Sequence, residues 1–344
     1  MRAVVLREIG PPENLLLEER PVPVPGPGEV LVRVQACGVC GRDLIDRKGG
    51  FPYLRLPIVP GHEMAGVVER CGEGVTQLSP GERVVNLHRA ACGACSACHR
   101  GDPVHCTGAW QAFGLTVDGG YAEYALAPAG CLVPLPEVIG FAEGCVLNCT
   151  AAVALRGLRT RAGLEAGERL LVTGASGGVG LAAVRLGKLL GAYVVGVTSS
   201  AARAPRISEA GADDVVVDTG GNFHKSLPAS LGEGADVVLE AVGKPTFNAS
   251  LRSLRPGGRL VLLGNVTTEQ VAVNPGRLIL QGVSILGSGT STRRDLDDVL
   301  GWVARGRLRA DVDRVLPLAE AARAHHLLEE RAAVGRVVLS PDAR

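Results

Sequence analysis

Residues 169–190, RLLVTGASGGVGLAAVRLGKLL, constrain the fold of this chain more than any other segment. The segment begins with a short apolar run typical of a buried parallel strand, and it ends with leucines and valines at helical spacing. Between the two lies a turn with four glycines, GASGGVG, at 174–180. A strand, a glycine-rich turn and a helix in this order predict the first βαβ unit of a dinucleotide-binding sheet.

Each glycine of this turn has a physical role. Gly174 and Gly177 permit a tight turn. Gly178 lets the backbone approach a pyrophosphate, and Gly180 lets the helix pack closely on the strand. The free N–H groups and the dipole at the helix N-terminus favour phosphate. We therefore expect a cofactor to contact the turn through Gly174, Ser176, Gly177, Gly178, Val179 and Gly180.

The 344 residues suffice for two domains, and the pattern changes near residue 150. Before it, short strands separated by Gly and Pro turns indicate a partly open β-barrel. After it, strands alternate with helices, which indicates an α/β fold with a doubly wound parallel sheet. The predicted helices lie at 178–190, near 201–210, and at 246–254, 293–305 and 318–330.

Composition and charge exclude several classes of protein. A net charge of +1 gives no sign of a nucleic-acid partner. The start, MRAVVLREIG, lacks the pattern of a signal peptide, and no uninterrupted apolar run is long enough to span a membrane. We expect a soluble, cytoplasmic protein with neither nucleic-acid nor membrane partners. The scarcity of lysine beside abundant arginine fits a thermophile or a GC-rich genome, and we favour the thermophile.

Four cysteines form the most specific local pattern: Cys92, Cys95, Cys98 and Cys106. Four thiolates at this spacing can close a tetrahedral structural zinc site. Disulfides are the main alternative, but a cytoplasmic chain disfavours them. An RNA-binding zinc knuckle is a further alternative, but basic and aromatic residues do not gather around these cysteines.

A second group of metal-binding residue types is scattered along the chain, in ACGVCGRDL at 36–44, in GHEMAGVV at 61–68 and at Cys145 and Cys149. Catalytic zinc sites use three protein ligands and keep a fourth position open. These blocks, the four-cysteine lobe and the glycine-rich turn together resemble the zinc-dependent alcohol dehydrogenases of the medium-chain dehydrogenase/reductase superfamily. The resemblance covers essentially the whole chain and keeps the order of every block.

This resemblance implies roles for individual residues. Cys40, His62 and Cys149 match the catalytic zinc ligands, and the lobe at 92–106 matches the structural zinc site, so two zinc ions per subunit are expected. Glu63 matches a carboxylate near the metal, and Asp43 matches an acid that supports the zinc ligands. The remaining cysteines, Cys37, Cys71, Cys131 and Cys145, are expected to be small buried side chains. The histidines at 88, 99, 105, 224, 325 and 326 are expected at the surface or with satisfied hydrogen bonds.

The resemblance also implies an architecture. It predicts a GroES-like catalytic domain at 1–150, a Rossmann NADP(H)-binding domain at 151–290 and a return to the catalytic domain at 291–344. The nicotinamide side would be lined by Thr150, Gly264, Asn265 and Val266, and Arg336 would lie near the pyrophosphate. Analogy suggests a homo-oligomer, a tetramer or a dimer. Substrate would bind in the cleft between the domains, with Phe51, Tyr53, Trp110 and Leu115 as candidate lining residues.

Two positions depart from the family pattern. Arg42 stands where the family has a Ser or Thr hydroxyl that passes on the substrate proton, and Ile45 stands at the distal relay position. A guanidinium stays protonated and is a poor general acid or base. Arg42 would pair with Asp43 or Glu63, contact an anionic substrate group, or compete with the catalytic zinc.

The nucleotide preference follows from the end of the second sheet strand. The predicted strand 193–197 is followed by Ser199 and Ser200, where an acid would bind the ribose hydroxyls of NAD. Arg203 or Arg206 can reach a 2′-phosphate. The sequence therefore favours NADP(H), with NAD as the alternative.

Three functions remain open. The first is a zinc-dependent, NADP(H)-linked alcohol dehydrogenase or ketone reductase, which we place ahead of the second by a small margin. The second is an NADPH-dependent 2-enoyl-CoA reductase that needs no catalytic zinc. The chain looks similar to archaeal acryloyl-CoA reductases, in which an Arg-Asp pair follows the same cysteine. The third is a cofactor-binding protein without turnover, which the intact ligands disfavour.

Overall fold

The computed structural model describes residues 1–89, 91–108 and 111–343. Its strands are β1 (Arg2–Leu6), β2 (Leu15–Glu19), β3 (Glu29–Val39), β4 (Glu63–Cys71), β5 (Arg83–Asn86), β6 (Tyr124–Pro128), β7 (Leu132–Pro134), β8 (Arg169–Val172), β9 (Tyr193–Thr198), β10 (Asp214–Val217), β11 (Ala235–Glu240), β12 (Leu254–Leu262), β13 (Ser284–Gly287), β14 (Val312–Pro317) and β15 (Arg336–Ser340). Its α-helices are α1 (Gly41–Arg47), α2 (Ser96–His99), α3 (Phe141–Leu147), α4 (Val153–Leu155), α5 (Gly178–Leu189), α6 (Ala204–Glu209), α7 (Lys244–Arg252), α8 (Pro275–Gln281), α9 (Arg293–Ala304) and α10 (Ala321–Glu329).

The chain forms two compact units. One contains Met1–Cys149 and Ser291–Arg344, and the other contains Thr150–Thr290. The sequence-based boundary after residue 150 lies one residue later than the boundary between the units.

The first unit is a GroES-like β domain built around the long strand β3. A seven-stranded sheet has the order β14-β15-β3-β4-β5-β7, with β6 also paired to β3, and β1 and β2 form a separate hairpin. Strands β3 and β4 are antiparallel, with Gly38 opposite Glu63. This register brings the residues just after β3 and just before β4 to the same end of the sheet, which is where Cys40 and His62 lie.

The second unit is a Rossmann-type domain. Its six parallel strands have the order β10-β9-β8-β11-β12-β13, so the strand order reverses between β8 and β11. Ligands of open parallel sheets bind outside the carboxyl ends of the strands at this switch point. The glycine-rich turn follows β8 at that edge.

An apolar helical segment, Phe141–Ala162, has no counterpart among the elements that the sequence pattern predicts. It includes α3, α4 and two π-helical turns, Asn148–Ala152 and Arg156–Arg161. In length and composition alone it could cross a membrane, but 78% of its most apolar window is buried within the protein. Cys149 lies in the first π-helical turn.

Candidate active site and metal centres

The four lobe cysteines lie together, with their sulfur atoms all within 4.8 Å of one another. The Cys95 sulfur is 3.5 Å from that of Cys98 and 3.9 Å from that of Cys106. A tetrahedral site with zinc–sulfur bonds of about 2.3 Å has sulfur–sulfur separations of roughly 3.8 Å. Disulfide sulfurs are about 2.05 Å apart, so the arrangement fits a closed zinc site and not disulfides.

Backbone N–H groups support negative charge in this lobe. The N–H of Cys92 donates to the Cys106 sulfur at 3.2 Å, and the N–H of Cys95 donates to the Cys92 sulfur at 3.3 Å. Backbone hydrogen bonds from Cys98 and Thr107 lower the pKa of Cys95 to about 5. Such donors stabilise thiolates, which are the form that binds zinc.

The second cluster contains Cys40, His62, Glu63 and Cys149, whose ligand atoms also lie within 4.8 Å of one another. The sulfurs of Cys40 and Cys149 are 3.8 Å apart, and Cys149 Sγ is 3.6 Å from His62 Nε2. Tetrahedral zinc bonded to sulfur at about 2.3 Å and to nitrogen at about 2.05 Å gives separations of roughly 3.8 and 3.6 Å. The two thiols and the imidazole therefore fit a zinc ion with one position left open.

Glu63 makes its hydrogen bonds to Arg336, and its Oε1 also lies 3.9 Å from His62 Nε2. The Arg336 guanidinium donates to Glu63 Oε1 at 2.9 Å and Oε2 at 3.2 Å, and it also donates to Cys40 Sγ at 3.4 Å. Burial raises the pKa of Glu63 to about 7, although the Arg336 charge opposes this shift. Arg336 thus makes its side-chain contacts at the metal cluster, and its predicted place near a pyrophosphate stays a prediction.

Asp43 links two of the candidate ligands. Its Oδ2 accepts the backbone N–H of Cys40 at 2.8 Å, and its Oδ1 lies 2.8 Å from His62 Nδ1. Burial and the Arg42 charge lower the pKa of His62, but the charge and hydrogen bond of Asp43 outweigh them and raise it to about 10. Hydrogen bonding with Cys149 and the nearby Arg336 charge hold the pKa of Cys40 well below its usual range.

Arg42 pairs with neither Asp43 nor Glu63, so the first of the three alternatives for this residue is wrong. Its Nε lies 3.1 Å from Asp46 Oδ2, and its Nη2 donates to the carbonyl of Phe113 at 2.6 Å. The reason is helical spacing: Arg42 and Asp46 are four residues apart on α1 and share a face, while Asp43 turns toward Cys40. Burial raises the pKa of Asp46 to about 7, although the Arg42 charge opposes this shift.

Two asparagines hold the ligand segments together, and sequence reasoning missed both. Asn86 donates to the His62 carbonyl at 2.9 Å and accepts the Met64 N–H at 2.8 Å. Asn148 donates to the Asn86 carbonyl at 3.0 Å, which ties the helix bearing Cys149 to this segment. The available signal was an amide side chain inside an apolar strand or helix, because such a buried group needs partners.

His88 packs against the cluster and has a hydrogen-bond partner, one of the two outcomes expected for this histidine. Its ring centroid is 5.4 Å from that of His62, and its Nδ1 is 3.5 Å from Asn148 Nδ2. Burial and the His62 charge lower the pKa of His88 well below its usual range. His88 is therefore a neutral side chain beside His62 at pH 7.

In the Rossmann unit the glycine-rich turn has the geometry of a phosphate loop. Gly174 has φ +57°, in the left-handed region. A Cβ on Gly180 would lie 2.2 Å from the Gly174 carbonyl oxygen, so only glycine allows helix α5 to approach the turn so closely. The loop leads into the N-terminus of this 12-residue helix, and Ser176 is buried beside it. These residues fit a dinucleotide pyrophosphate.

Glu240, which sequence reasoning also missed, organises the neighbouring turn. Its carboxylate is fully buried and accepts hydrogen bonds from the backbone N–H groups of Val242 at 2.8 Å and Gly243 at 2.9 Å. The hydroxyl of Thr173, directly after β8, donates to it at 3.0 Å. Glu240 therefore joins the turns after β8 and β11 at the switch point.

The predicted nicotinamide-side residues lie on the next turn, after β12. A Cβ on Gly264 would lie 2.2 Å from the Ala241 carbonyl oxygen, and the N–H of Val266 donates to the Val242 carbonyl at 2.9 Å. Asn265 lies between these two contacts. This turn thus packs directly on the turn that Glu240 holds. Thr150 is a buried residue of the same unit.

At the predicted adenosine end, β9 extends to Thr198 and is followed by Ser199 and Ser200. Arg203 ends a short 3-10 helix, Ala201–Arg203, that leads into α6. Across the described ranges no carboxylate forms an ion pair with Arg203, whereas Arg206 pairs with Glu209.

Of the candidate residues for lining the substrate site, Leu115 is buried in the first unit, Tyr53 is exposed, Phe51 is half-buried, and Trp110 lies outside the described residues.

Comparison with known proteins finds two matching domain families and relatives that span nearly the whole chain. Residues 26–137 match the alcohol dehydrogenase GroES-like domain family, and residues 178–305 match the zinc-binding dehydrogenase family. The acryloyl-coenzyme A reductase of Metallosphaera sedula is 37% identical over 99% of this chain and 100% of its own length.

Two solved structures extend the likeness. The structure of AibC has a TM-score of 0.93 and 43% identity, and the match covers 100% of this chain and 96% of AibC. The cobalt- and zinc-bound thermostable alcohol dehydrogenase from Pyrobaculum aerophilum has a TM-score of 0.90 and 35% identity, with 99% of both chains covered. The chain belongs to the medium-chain dehydrogenase/reductase superfamily of oxidoreductases, and it resembles the branch that contains the archaeal acryloyl-CoA reductases.

Proposed function

We propose that this protein is an NADP(H)-dependent reductase of the carbon–carbon double bond in short 2-enoyl thioesters of the acryloyl-CoA class. The observation that carries the proposal is the anchoring of Arg42 at the position where alcohol dehydrogenases keep a relay hydroxyl. Ion pairing with Asp46 and the hydrogen bond to Phe113 hold the guanidinium in place. Its Nη1 makes no hydrogen bond within the part of the chain that the structure describes.

An anchored cation suits enoyl reduction better than alcohol oxidation. Oxidation of an alcohol needs a group that accepts the hydroxyl proton, and a guanidinium cannot do so at neutral pH. Reduction of an enoyl thioester adds hydride from the nicotinamide to the β-carbon and moves the double-bond electrons toward the carbonyl oxygen, and the α-carbon then takes a proton from water. A fixed positive charge stabilises the negative charge that develops on the carbonyl oxygen.

Bound NADPH would supply the hydride, and a zinc ion, which the sequence-based version of this candidate did not require, would polarise the thioester carbonyl. The turn 174–180 and the helix N-terminus of α5 would hold the pyrophosphate. Serines at 199 and 200 in place of an acid, together with an Arg203 that forms no ion pair within the described ranges, favour the 2′-phosphate of NADP(H). Cys40, His62 and Cys149 would hold the zinc ion, with Asp43 orienting His62.

A zinc-dependent, NADP(H)-linked alcohol dehydrogenase or ketone reductase is the second candidate. It is favoured by the sulfur–sulfur and sulfur–nitrogen separations in the buried cluster, which match those of a zinc site with an open position. The alcohol dehydrogenase from Pyrobaculum aerophilum supports the same candidate by likeness.

The test compares the two substrate classes on the same protein. Oxidation of NADPH and of NADH is followed with acryloyl-CoA, longer 2-enoyl thioesters and simple ketones. We expect kcat/KM to be higher with NADPH and with the enoyl thioesters. Arg42→Ser, which restores a hydroxyl, should lower enoyl reduction by about 10–100-fold, the range of one lost electrostatic contact in the transition state. The same variant should raise ketone reduction.

Arg33→Ser is the matched control, because Arg33 is an exposed β3 residue that pairs with Glu69. It should leave both activities unchanged. Preference of the unaltered protein for ketones, with no loss of that activity in Arg42→Ser, would overturn the first candidate in favour of the second.

We also propose a cytoplasmic homo-oligomer that acts on small molecules, with a dimer or tetramer as the expected assembly. Size-exclusion chromatography with light scattering measures the assembly directly. The substrate test depends neither on the cytoplasmic location nor on the oligomeric state.

A further inference from the structure

A chain of buried polar side chains runs through the first unit from its surface to His62. It contains Arg47 on α1, His325 on α10, Tyr121 in the segment before β6, and Asp43 on α1. All of these side chains are almost fully buried. At the outer end, Arg47, Lys48 and Glu329 line an open surface pocket with Ile9, Gly10, Pro11 and Pro12.

The donor and acceptor roles along this series of hydrogen bonds are determined at its outer end, where Arg47 lies. Arg47 donates through Nη1 to the Gly10 carbonyl and through Nη2 to Glu329, and through Nε to His325 Nδ1 at 3.2 Å. A guanidinium has donors only, so His325 Nδ1 must present its lone pair. The single proton of a neutral His325 imidazole therefore resides on Nε2.

His325 is neutral at pH 7. Burial and the Arg47 charge lower its pKa, the carboxylates of Asp43 and Glu329 oppose this only in part, and the pKa falls to about 4. The charged or titratable groups that face it are Arg47 and Glu329 at the outer side, His326 on its own helix, and Tyr121 and Asp43 at the inner side.

The remaining links carry the same direction inward. His325 Nε2 lies 3.4 Å from the Tyr121 hydroxyl, a long hydrogen bond in which the imidazole donates. Tyr121 then donates its own proton to Asp43 Oδ2 at 3.2 Å. Asp43 Oδ1 faces His62 Nδ1 at 2.8 Å, which leaves His62 Nε2 for the metal cluster.

The backbone is shaped around the tyrosine of this chain. Gly61, directly before His62, has φ +94°, and a Cβ there would lie 2.4 Å from the Tyr121 ring. The close approach of ring and backbone leaves Tyr121 little freedom to turn its hydroxyl away from Asp43.

We propose that Arg47, His325 and Tyr121 are positioning residues that act through Asp43 to keep a proton on His62 Nδ1, so that a metal ion displaces only the Nε2 proton and binds there. The inference rests on the proposed function only in assigning a metal to His62. It requires no particular substrate. This series of buried side chains does not replace the proton relay that is missing at Arg42, because its hydrogen bonds converge on Asp43 and not on the open side of the cluster.

The first experiment reads the tautomers directly. Nitrogen NMR of protein labelled with ¹⁵N-histidine distinguishes a protonated ring nitrogen from one with a lone pair. We expect His325 to carry its proton on Nε2 and to stay neutral at pH 6, with resonances assigned by His325→Gln and His326→Gln. An Nδ1 proton on His325, or a doubly protonated ring at pH 6, would overturn the proposal.

The second experiment measures zinc affinity at the buried cluster by competition with a chelator. Tyr121→Phe removes only the hydroxyl, and His325→Gln removes the donor behind it. Each should weaken zinc binding about 10-fold, the lower end of the range for partners outside the ligand set. The visible spectrum of the cobalt-substituted protein should shift in both variants, which a remote loss of stability would not cause.

Two matched control variants test whether the effect depends on where the tyrosine or histidine lies and not merely on the loss of such a residue. Tyr124→Phe removes a hydroxyl three residues along the chain, and His326→Gln alters the exposed neighbour that pairs with Glu13. Both should keep zinc affinity within about twofold, inside ordinary scatter for surface changes. Equal zinc affinity in Tyr121→Phe and Tyr124→Phe would overturn the proposal. Failure of the enoyl substrates with the expected zinc and NMR results would overturn only the proposed function.

Discussion

The two cysteine-containing clusters of the first unit are built in different ways. The lobe takes all four ligands from residues 92–106, at the protein surface or half-buried, and supports them with its own backbone N–H groups. The buried cluster combines Cys40 and Cys149, which are 109 residues apart, with His62 from a third segment. Asp43, from the same segment as Cys40, and Arg336 and Asn86, from two further segments, then surround it.

This difference shows that the two clusters depend on different parts of the fold. A local loop of four thiolates can close around a metal with little help from the rest of the fold. A cluster drawn from distant segments depends on strand register, on the π-helical turn and on hydrogen bonds that orient each ligand. We therefore expect changes at the lobe to affect stability, and changes at the buried cluster to affect catalysis.

The largest expected effect comes from removing a ligand of the buried cluster. Cys149→Ala should reduce zinc from two ions per subunit to one. Its activity should fall by more than the roughly 10–100-fold typical of partners outside the ligand set. Elemental analysis and kcat/KM measure the two changes. Two zinc ions in Cys149→Ala would contradict the assignment of that residue.

Removing a lobe ligand should lower the stability of the protein and leave its activity nearly unchanged. Cys98→Ser should also lose one zinc ion, and the structural contribution of that metal should disappear with it. We expect the thermal midpoint to fall by about 10 °C, which corresponds to several kcal/mol in a protein of this size. Activity at 25 °C should stay within about threefold. Loss of activity in the folded variant would remove the distinction between the clusters.

The smallest effect concerns pH and the hydrogen-bond chain behind the buried cluster. The pKa of His325 is lowered from 6.5 to about 4, so the unfolded chain binds the proton more readily and stability falls as pH drops through this window. Unaltered protein should lose about 2 kcal/mol more than His325→Gln between pH 7 and pH 5. Urea unfolding at both pH values measures this, and His326→Gln should follow the unaltered protein.

Some features of the site were accessible from the sequence because their causes are local. The spacing of Cys92, Cys95, Cys98 and Cys106 is sufficient to predict a four-thiolate cluster. The strand, turn and helix at 169–190 likewise predict a phosphate loop, because the glycine positions follow from backbone geometry. Arg42 was recognisable as a departure from the family pattern.

Other features required the folded chain. The pairing of Arg42 with Asp46 was missed because α1 was not predicted as a helix, so the four-residue spacing carried no meaning. The contact of Arg336 with Glu63 joins β15 to β4 across 273 residues. No local pattern indicates such a pair.

The sequence by itself determined the fold class, the superfamily, the glycine-rich turn and the identity of both groups of candidate ligands. These depend on periodicity, on glycine conformation and on the spacing of neighbouring thiols, all of which act over short stretches of chain. Only the tertiary structure decided which carboxylate faces which arginine and that Tyr121 and His325 lie behind Asp43. Those contacts depend on strand register and side-chain packing between distant segments, where burial selects one partner among several of equal charge.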